Sequence, residues 1–176
     1  AEGRLYEVDM RLRPSGRAGP VAVSVSAFDR YQHDEAWTWE LMALTRLRIV
    51  AGEVALGEQV LEIARHAIVN RPDEAACRFD ILDMRQRLWR ERPPRGDWDI
   101  KLADGGLVDL EFVLQQEMLL SGDEASIIPT VRDAIDRLAE RGALSDEDAG
   151  TLTSAFQFMQ CLQQIQRLAV GAELTA

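Results

Sequence analysis

Helical periodicity, interrupted at intervals by glycine and proline, is the feature that most limits how this chain of 176 residues can fold. From Ser26 onward, apolar residues recur at spacings of three and four, which places them on one face of a helix. Glycine or proline ends each run, and the connections are short. The pattern predicts a mainly α protein, a helical bundle of about six helices. The predicted stops are Gly52, Pro72, Pro93, Pro94 and Gly142.

Polar residues at the starts of these runs predict the helix boundaries. Ser26 is predicted to cap a first helix that continues to Gly52. A serine or threonine followed three residues later by an acidic residue is typical of a capping box, and "TVRD" and "SDED" have this spacing at Thr130 and Ser145. The second box opens the last and longest helix, predicted over 146–169.

Two alternating stretches precede the helices. "YEVDMRLR" and "VAVSVS" each alternate apolar with polar residues, and the turn-forming segment "RPSGRAGP" separates them. Two strands do not make a stable sheet alone, so the pattern predicts the remnant of a larger sheet in a longer protein. The predicted domains are therefore 1–25, the last strands of a sheet domain, and 26–176, a helical bundle.

The first stretch carries Glu7, Asp9, Arg11 and Arg13 on one face. The ordinary interpretation is a solvated edge strand, in which opposite charges oppose aggregation. The alternative interpretation is a functional face, acidic at its centre and basic at its end. The pattern alone leaves both open.

Composition narrows the class of protein. A hydrophobic content of 47% suits one well-buried core, and a net charge of −10 argues against a protein that mainly binds nucleic acid. No run of eighteen apolar residues occurs, so the sequence predicts a cytoplasmic protein without a membrane partner. Cys77 and Cys161 lack the spacing of a zinc site, and both are predicted to be buried.

The segment "DIKLADGGLVDLEF" permits two interpretations. Asp109 and Glu111 lie in the first turns of a predicted helix, where carboxylates offset the positive end of the helix dipole. Alternatively, the amides of Gly105 and Gly106, with Lys101 nearby, form a cradle for phosphate. A pair of glycines before a helix is a weak signal for the second interpretation.

Three separated motifs, in order, resemble one known family. "GRLYEVDMRLRPSGRAG", "EAWTWELMALTRLRIVAG" and "DIKLADGGLVDLEFVLQ", with the closing "LSDEDAGTLTSAFQFMQCLQQIQRL", are similar to the bifunctional glutamine synthetase adenylyltransferases. "EAWTWE" and the serine after "RLRP" resemble the C-terminal half that attaches AMP. The resemblance covers nearly the whole chain.

The resemblance implies a nucleotidyltransferase whose palm sheet holds three carboxylates, two in a G-S-x-x-D-x-D segment and the third at Asp9. It implies that Asp9 is catalytic and binds Mg²⁺, while Arg11 and Arg13 contact the triphosphate of ATP. Lys101 is predicted as a further phosphate contact. The implied partners are glutamine synthetase and the PII signalling protein.

This sequence departs from the family pattern because it contains no G-S-x-x-D-x-D segment. We therefore expect the chain alone to lack useful transferase activity. Two alternatives stay open. One is a noncatalytic helical interaction or regulatory module, and the other is the half of the same enzyme family that removes AMP by phosphorolysis.

Overall fold

The computed structural model of the chain describes residues 13–96, 98–123 and 125–170, and these residues form a mainly α-helical structure. Within those ranges lie seven α-helices, one short 3-10 turn over Gly16–Ala18 and no strand. The helices are α1 (Val25–Asp34), α2 (Thr38–Leu44), α3 (Val54–Val69), α4 (Glu74–Glu91), α5 (Leu107–Ser121), α6 (Val131–Glu140) and α7 (Asp146–Val170).

Several helix ends are determined by the residues that the sequence indicates. The Asp133 amide donates to the Thr130 hydroxyl at 3.1 Å, and that hydroxyl donates to the Asp133 carboxylate at 2.6 Å. Ser145 and Asp148 repeat this arrangement at 3.1 and 2.7 Å. Gly142, just after α6, has φ +72°, a conformation that glycine adopts without strain. The predicted starts of α6 and α7 and the predicted stop at Gly142 are confirmed.

The second predicted strand does not form. Residues 21–24 are irregular, and Ser24 rather than Ser26 caps α1, because its extended backbone lets its hydroxyl accept a hydrogen bond from the Ala27 amide at 3.2 Å. The predicted cap at Ser26 is therefore wrong by two residues. The first predicted strand lies outside the described residues, so the two-stranded remnant of a sheet is not supported.

The helix predicted from Ser26 to Gly52 is divided in two, which raises the count from six to seven, and its second part ends at Leu44. The predicted stop at Gly52 is therefore wrong, because residues 45–53 form turns and irregular structure. α1 ends at Asp34, and the backbone of Trp37 is extended, with φ −81° and ψ 157°. The Glu40 carboxylate accepts a hydrogen bond from the Trp37 amide at 3.0 Å. This bond satisfies a donor at the new helix start, where the backbone has no acceptor of its own.

Two clusters of buried side chains hold the helices together, and α5 contributes to both. The first cluster joins α2, α3 and α4 to one end of α5, and consists of Leu41, Met42, Leu44, Ala64, Ala67, Ile68, Cys77, Ile81 and Leu119. The second cluster joins α5 to α6, with part of α7 packed against it, and consists of Leu110, Leu114, Met118, Val131, Ala134, Ile135 and Leu138.

The C-terminal half of α7 extends past the second cluster and is largely exposed. Cys161 on this helix is exposed and free, so the prediction that both cysteines are buried is wrong for Cys161. Cys77 is fully buried in the first cluster, as predicted. None of the helices in the described ranges has the length and apolar character needed to cross a bilayer.

Candidate functional site

The first predicted strand has three predicted site residues: Asp9, Arg11 and Arg13. Of these, Arg13 lies within the described residues, and Asp9 and Arg11 lie outside them. Its side chain is half-buried, and Nη2 donates to the Gly19 carbonyl at 3.3 Å. The loop closes tightly, because the Gly16 amide also donates to the Arg13 carbonyl at 2.8 Å. The guanidinium of Arg13 therefore helps to hold a compact turn.

Tyr31 connects this turn to the helices. Its hydroxyl donates to the Glu40 carboxylate oxygens at 2.8 and 3.1 Å and also hydrogen-bonds to the Ser15 backbone. Burial, and next the bond to Glu40, raise the pKa of the Tyr31 phenol. The phenol is therefore a neutral structural link between the turn, α1 and α2.

The Gly105–Gly106 turn before α5 does not present free amides. The Gly105 amide donates to Asp109 Oδ2 at 2.8 Å, and the Gly106 amide donates to the Ala103 carbonyl at 2.8 Å. A Cβ atom at Gly106 would lie 2.6 Å from the Ile100 carbonyl oxygen, so only glycine fits there. Contrary to the predicted phosphate cradle, both amides are engaged within the chain.

Asp109 has a specific partner besides the helix dipole. Its carboxylate pairs with Arg85 of α4 through two hydrogen bonds, of which the one from Nη2 to Oδ2 measures 3.1 Å. Arg85 Nη2 also lies 3.7 Å from Asp104. The bond from Arg85, followed by that from the Gly105 amide, holds the pKa of Asp109 below its usual range. This pair fixes the glycine turn to α4.

Lys101 lines a groove of about 780 Å³ between the end of α4, the loop after it, α5 and the C-terminal half of α7. Its side chain is exposed, and it is the single lysine of the chain. Three arginines line the same groove: Arg92, Arg95 and Arg167. The groove also holds three acidic residues, Glu91, Asp99 and Glu111. The assignment of Lys101 to phosphate binding stays a prediction.

These arginines are absent from the predicted site residues for two different reasons. Arg92 and Arg95 lie in the segment "RERPPRGDW", whose basic character was a usable signal. Arg167 is more than sixty residues away along the chain and joins the groove only through the packing of α7. No local pattern connects it to Lys101.

A metal site is not formed by the residues that the structure describes. Among residues 13–96, 98–123 and 125–170, no group of three or more His, Cys, Asp or Glu side chains is placed to hold a metal ion. A two-metal centre needs several carboxylates. These residues therefore do not fit Mg²⁺ by themselves.

Two family models match the chain in sequence. The model described as glutamate-ammonia ligase adenylyltransferase matches residues 1–63, and the model described as GlnD PII-uridylyltransferase matches residues 80–169. The first match ends within α3 and the second begins within α4. Both descriptions name the transfer of a nucleotide.

Curated relatives align with most of the chain. Proteins named bifunctional glutamine synthetase adenylyltransferase/adenylyl-removing enzyme are 42% identical over 96% of the chain in Bradyrhizobium diazoefficiens and 43% identical over 98% in Xanthobacter autotrophicus. The relative from Agrobacterium fabrum is 52% identical over 68%. The chain spans 17%, 18% and 12% of the lengths of these three relatives, respectively.

These matches define the class of protein: the chain is related to nucleotidyltransferases, and most of its described part is a helical bundle. The chain belongs to the family of bifunctional glutamine synthetase adenylyltransferases. The resemblance stated from its motifs is therefore confirmed.

Proposed function

We propose that this chain is part of the AMP-attaching half of an enzyme that transfers AMP from ATP to a tyrosine of glutamine synthetase, regulating nitrogen assimilation in the cytoplasm. The observation that carries the proposal is the alignment of 96–98% of the chain with relatives named for this activity. On this proposal the partners are ATP, glutamine synthetase and the PII signalling protein.

The reaction is a displacement at the α-phosphorus of ATP. The tyrosine oxygen forms a bond to that phosphorus, the α–β phosphoanhydride bond breaks, pyrophosphate leaves and the phenolic proton is released. Negative charge moves to the leaving oxygens, so cationic side chains that contact the phosphates favour the transition state. The chain offers arginines and one lysine for this purpose.

Each predicted site residue has one role in this proposal. Asp9 is the carboxylate that holds Mg²⁺, together with carboxylates from elsewhere in the longer protein. Arg11 and Arg13 contact the triphosphate, for which a guanidinium fork is well suited. Lys101 supplies a further charge to the phosphates from the helical part of the chain.

The proposal predicts that the isolated chain does not transfer AMP, because one carboxylate cannot form the metal site. The measurement is incorporation of labelled AMP into glutamine synthetase by the purified chain with ATP and Mg²⁺. Transfer at a rate comparable to that of the longer enzyme would show that Asp9 needs no partners outside the chain.

Asp9→Asn in the longer enzyme tests the role of the carboxylate directly. We expect AMP transfer to fall by orders of magnitude with the fold retained, because only metal and transition-state binding are lost. Asp29→Asn, at an exposed position of α1, is the matched control and is expected to keep full activity. Near-normal transfer by Asp9→Asn would instead support a noncatalytic helical module.

The removal of AMP by phosphorolysis is the second candidate activity, because the relatives are also named adenylyl-removing enzymes. It uses the reverse kind of displacement: phosphate attacks the AMP phosphorus, the bond to tyrosine breaks and ADP leaves. Incubation of adenylylated glutamine synthetase with phosphate and the enzyme half that contains this chain distinguishes the two. Release of ADP without AMP attachment would assign the chain to the removing half.

A further inference from the structure

The turn over residues 13–19 has a backbone conformation that its surroundings must hold in place. Ser15 has φ 59° and ψ 17°, in the left-handed region that L residues rarely adopt, and Gly16 follows with φ 53°. A Cβ atom at Gly19 would lie 2.2 Å from the Pro14 carbonyl oxygen, so only glycine fits there. A backbone of this kind persists where contacts determine it, and such segments cluster at functional sites.

Hydrogen bonds within the turn make its residues move together. The Ala18 amide donates to the Ser15 carbonyl at 3.1 Å, and the Gly19 amide donates to the same oxygen at 3.2 Å. The Arg13 guanidinium closes the turn through its bond to the Gly19 carbonyl. A displacement of Ser15 is therefore passed on to Arg13.

One phenol joins this turn to the helices. The Tyr31 hydroxyl donates to the Glu40 carboxylate oxygens at 2.8 and 3.1 Å, and it also hydrogen-bonds to the Ser15 backbone. An ionised carboxylate only accepts, so the phenolic proton points to Glu40 and the phenolic oxygen accepts from the Ser15 amide. Both hydrogen-bonding functions of the phenol are therefore used, one on each side of the link.

Glu40 of α2 holds the phenol in this orientation. The residue is only 9% exposed, and none of the ion pairs among the described residues includes it. Its carboxylate accepts from the Tyr31 hydroxyl and, at 3.0 Å, from the Trp37 amide. A hydrogen bond to a carboxylate is roughly twice as strong as one between neutral groups. The bond from Tyr31 is therefore a strong connection between the turn and the bundle.

We infer that Tyr31 and Glu40 are positioning residues for AMP transfer, because they fix the turn to the helical bundle. Arg13 lies in this turn, and Asp9 precedes it by four residues, which span at most about 14 Å of chain. A shift of the turn therefore displaces proposed site residues, and a misplacement of about 1 Å can cost about a hundredfold in rate. The roles of Asp9 and Arg13 rest on the proposed function, whereas the link rests on the contacts of Tyr31.

Tyr31→Phe in the longer enzyme tests the inference, because it removes the hydroxyl and keeps the ring. We expect kcat for AMP transfer to fall by about tenfold or more, since the Asp9 carboxylate is misplaced. The KM for ATP should rise severalfold, since Arg13 shifts with the turn. Glu40→Gln keeps one acceptor oxygen and should therefore lose less activity than Glu40→Ala.

Thr38→Val is the matched control. It also removes one hydroxyl from a buried residue, but this hydroxyl donates to Asp80 of α4 at 2.5 Å. We expect it to lower the midpoint of urea unfolding and to leave kcat and the KM for ATP unchanged. A purely structural loss reduces the number of active molecules, which lowers the rate without changing the KM for ATP.

Hydrogen exchange of the peptide that covers 13–19, measured by mass spectrometry on the longer enzyme, tests the link without an activity assay. We expect Tyr31→Phe to accelerate exchange there by about tenfold or more, because the turn loses its bond to the bundle. Thr38→Val should leave exchange of this peptide unchanged.

Three results would overturn the inference. They are unaltered exchange of the turn in Tyr31→Phe, a normal rate of AMP transfer in this variant, and a lowered rate with an unchanged KM for ATP. Asp9→Asn, measured in parallel, separates this inference from the proposed function. If Asp9→Asn is inactive and Tyr31→Phe is fully active, only the positioning role is rejected. If both variants transfer AMP normally, the proposed role of Asp9 is rejected as well.

Discussion

Asp109 illustrates how much a single residue of this segment does at once. Its carboxylate accepts two hydrogen bonds from Arg85 of α4 and one from the Gly105 amide, and it lies in the first turn of α5. Even without a partner, a carboxylate at this position would interact favourably with the positive end of the helix dipole. The partner on α4 adds a tertiary link, which the position of Asp109 in the sequence does not reveal.

This arrangement predicts a pH-dependent stability. Because the pKa of Asp109 is lowered in the folded chain, its contribution is complete above its unfolded pKa of about 3.9 and is lost as the pH falls through the lower folded value. We expect Asp109→Asn to reduce the free energy of unfolding by about 1 kcal/mol at pH 7. Below about pH 4 the difference should shrink.

Urea unfolding of both proteins at several pH values is the measurement. Asp136→Asn, an exposed position on α6, is the control and should change stability little at any pH. A deficit for Asp109→Asn that stays constant down to pH 3 would mean that the loss comes from the geometry of the turn rather than from the charge.

At the scale of single helices, α1 offers a test of which serine ends the irregular segment. The Ser24 hydroxyl accepts a hydrogen bond from the Ala27 amide. Ser26 lies within the first turn of α1, and among the described residues its hydroxyl contacts only the Ser24 hydroxyl, at 3.1 Å. We expect Ser24→Ala to destabilise the chain by about 0.5–2 kcal/mol and Ser26→Ala by much less. Thermal unfolding of the two variants measures the loss of stability. A larger loss for Ser26→Ala than for Ser24→Ala would support Ser26, the cap predicted from the sequence.

The same region shows why part of the fold is not predictable locally. "VAVSVS" has the alternation of a strand and also contains two serines, a residue type that commonly caps helices, and the helix that forms here uses Ser24. The break between α1 and α2 depends on the Glu40 carboxylate reaching back to the Trp37 amide and on the bond from Tyr31. The local start and stop signals at Thr130, Ser145 and Gly142 are confirmed, whereas those at Ser26 and Gly52 are not.

The candidate site was likewise predictable only in part from local sequence. Lys101 was predicted from its place before a glycine turn, and it does line a groove. The glycine amides that suggested the site are engaged by Asp109 and Ala103, so the local motif is structural. The cations that line the groove include Arg167 of α7, which only tertiary packing brings there.

For the whole molecule, the packing does not follow the division between the two family models. The first cluster contains Leu41 from the part matched by one model and Ile81 and Leu119 from the part matched by the other. The Ile128 amide also donates to the Thr45 carbonyl at 2.7 Å, which ties the segment before α6 to the end of α2. The described helices are thus linked by α5 and by this bond.

We therefore predict that both clusters unfold as one cooperative unit. Leu119→Ala removes a fully buried side chain of the first cluster and should cost about 2–5 kcal/mol. Because α5 carries both clusters, slow hydrogen exchange should accelerate equally for amides of α3 and of α6. Leu138→Ala, fully buried in the second cluster, should produce the same equal loss in both helices. If each substitution lowers protection only on its own side, α5 joins two units that unfold separately, and the groove beside it would change shape without global unfolding.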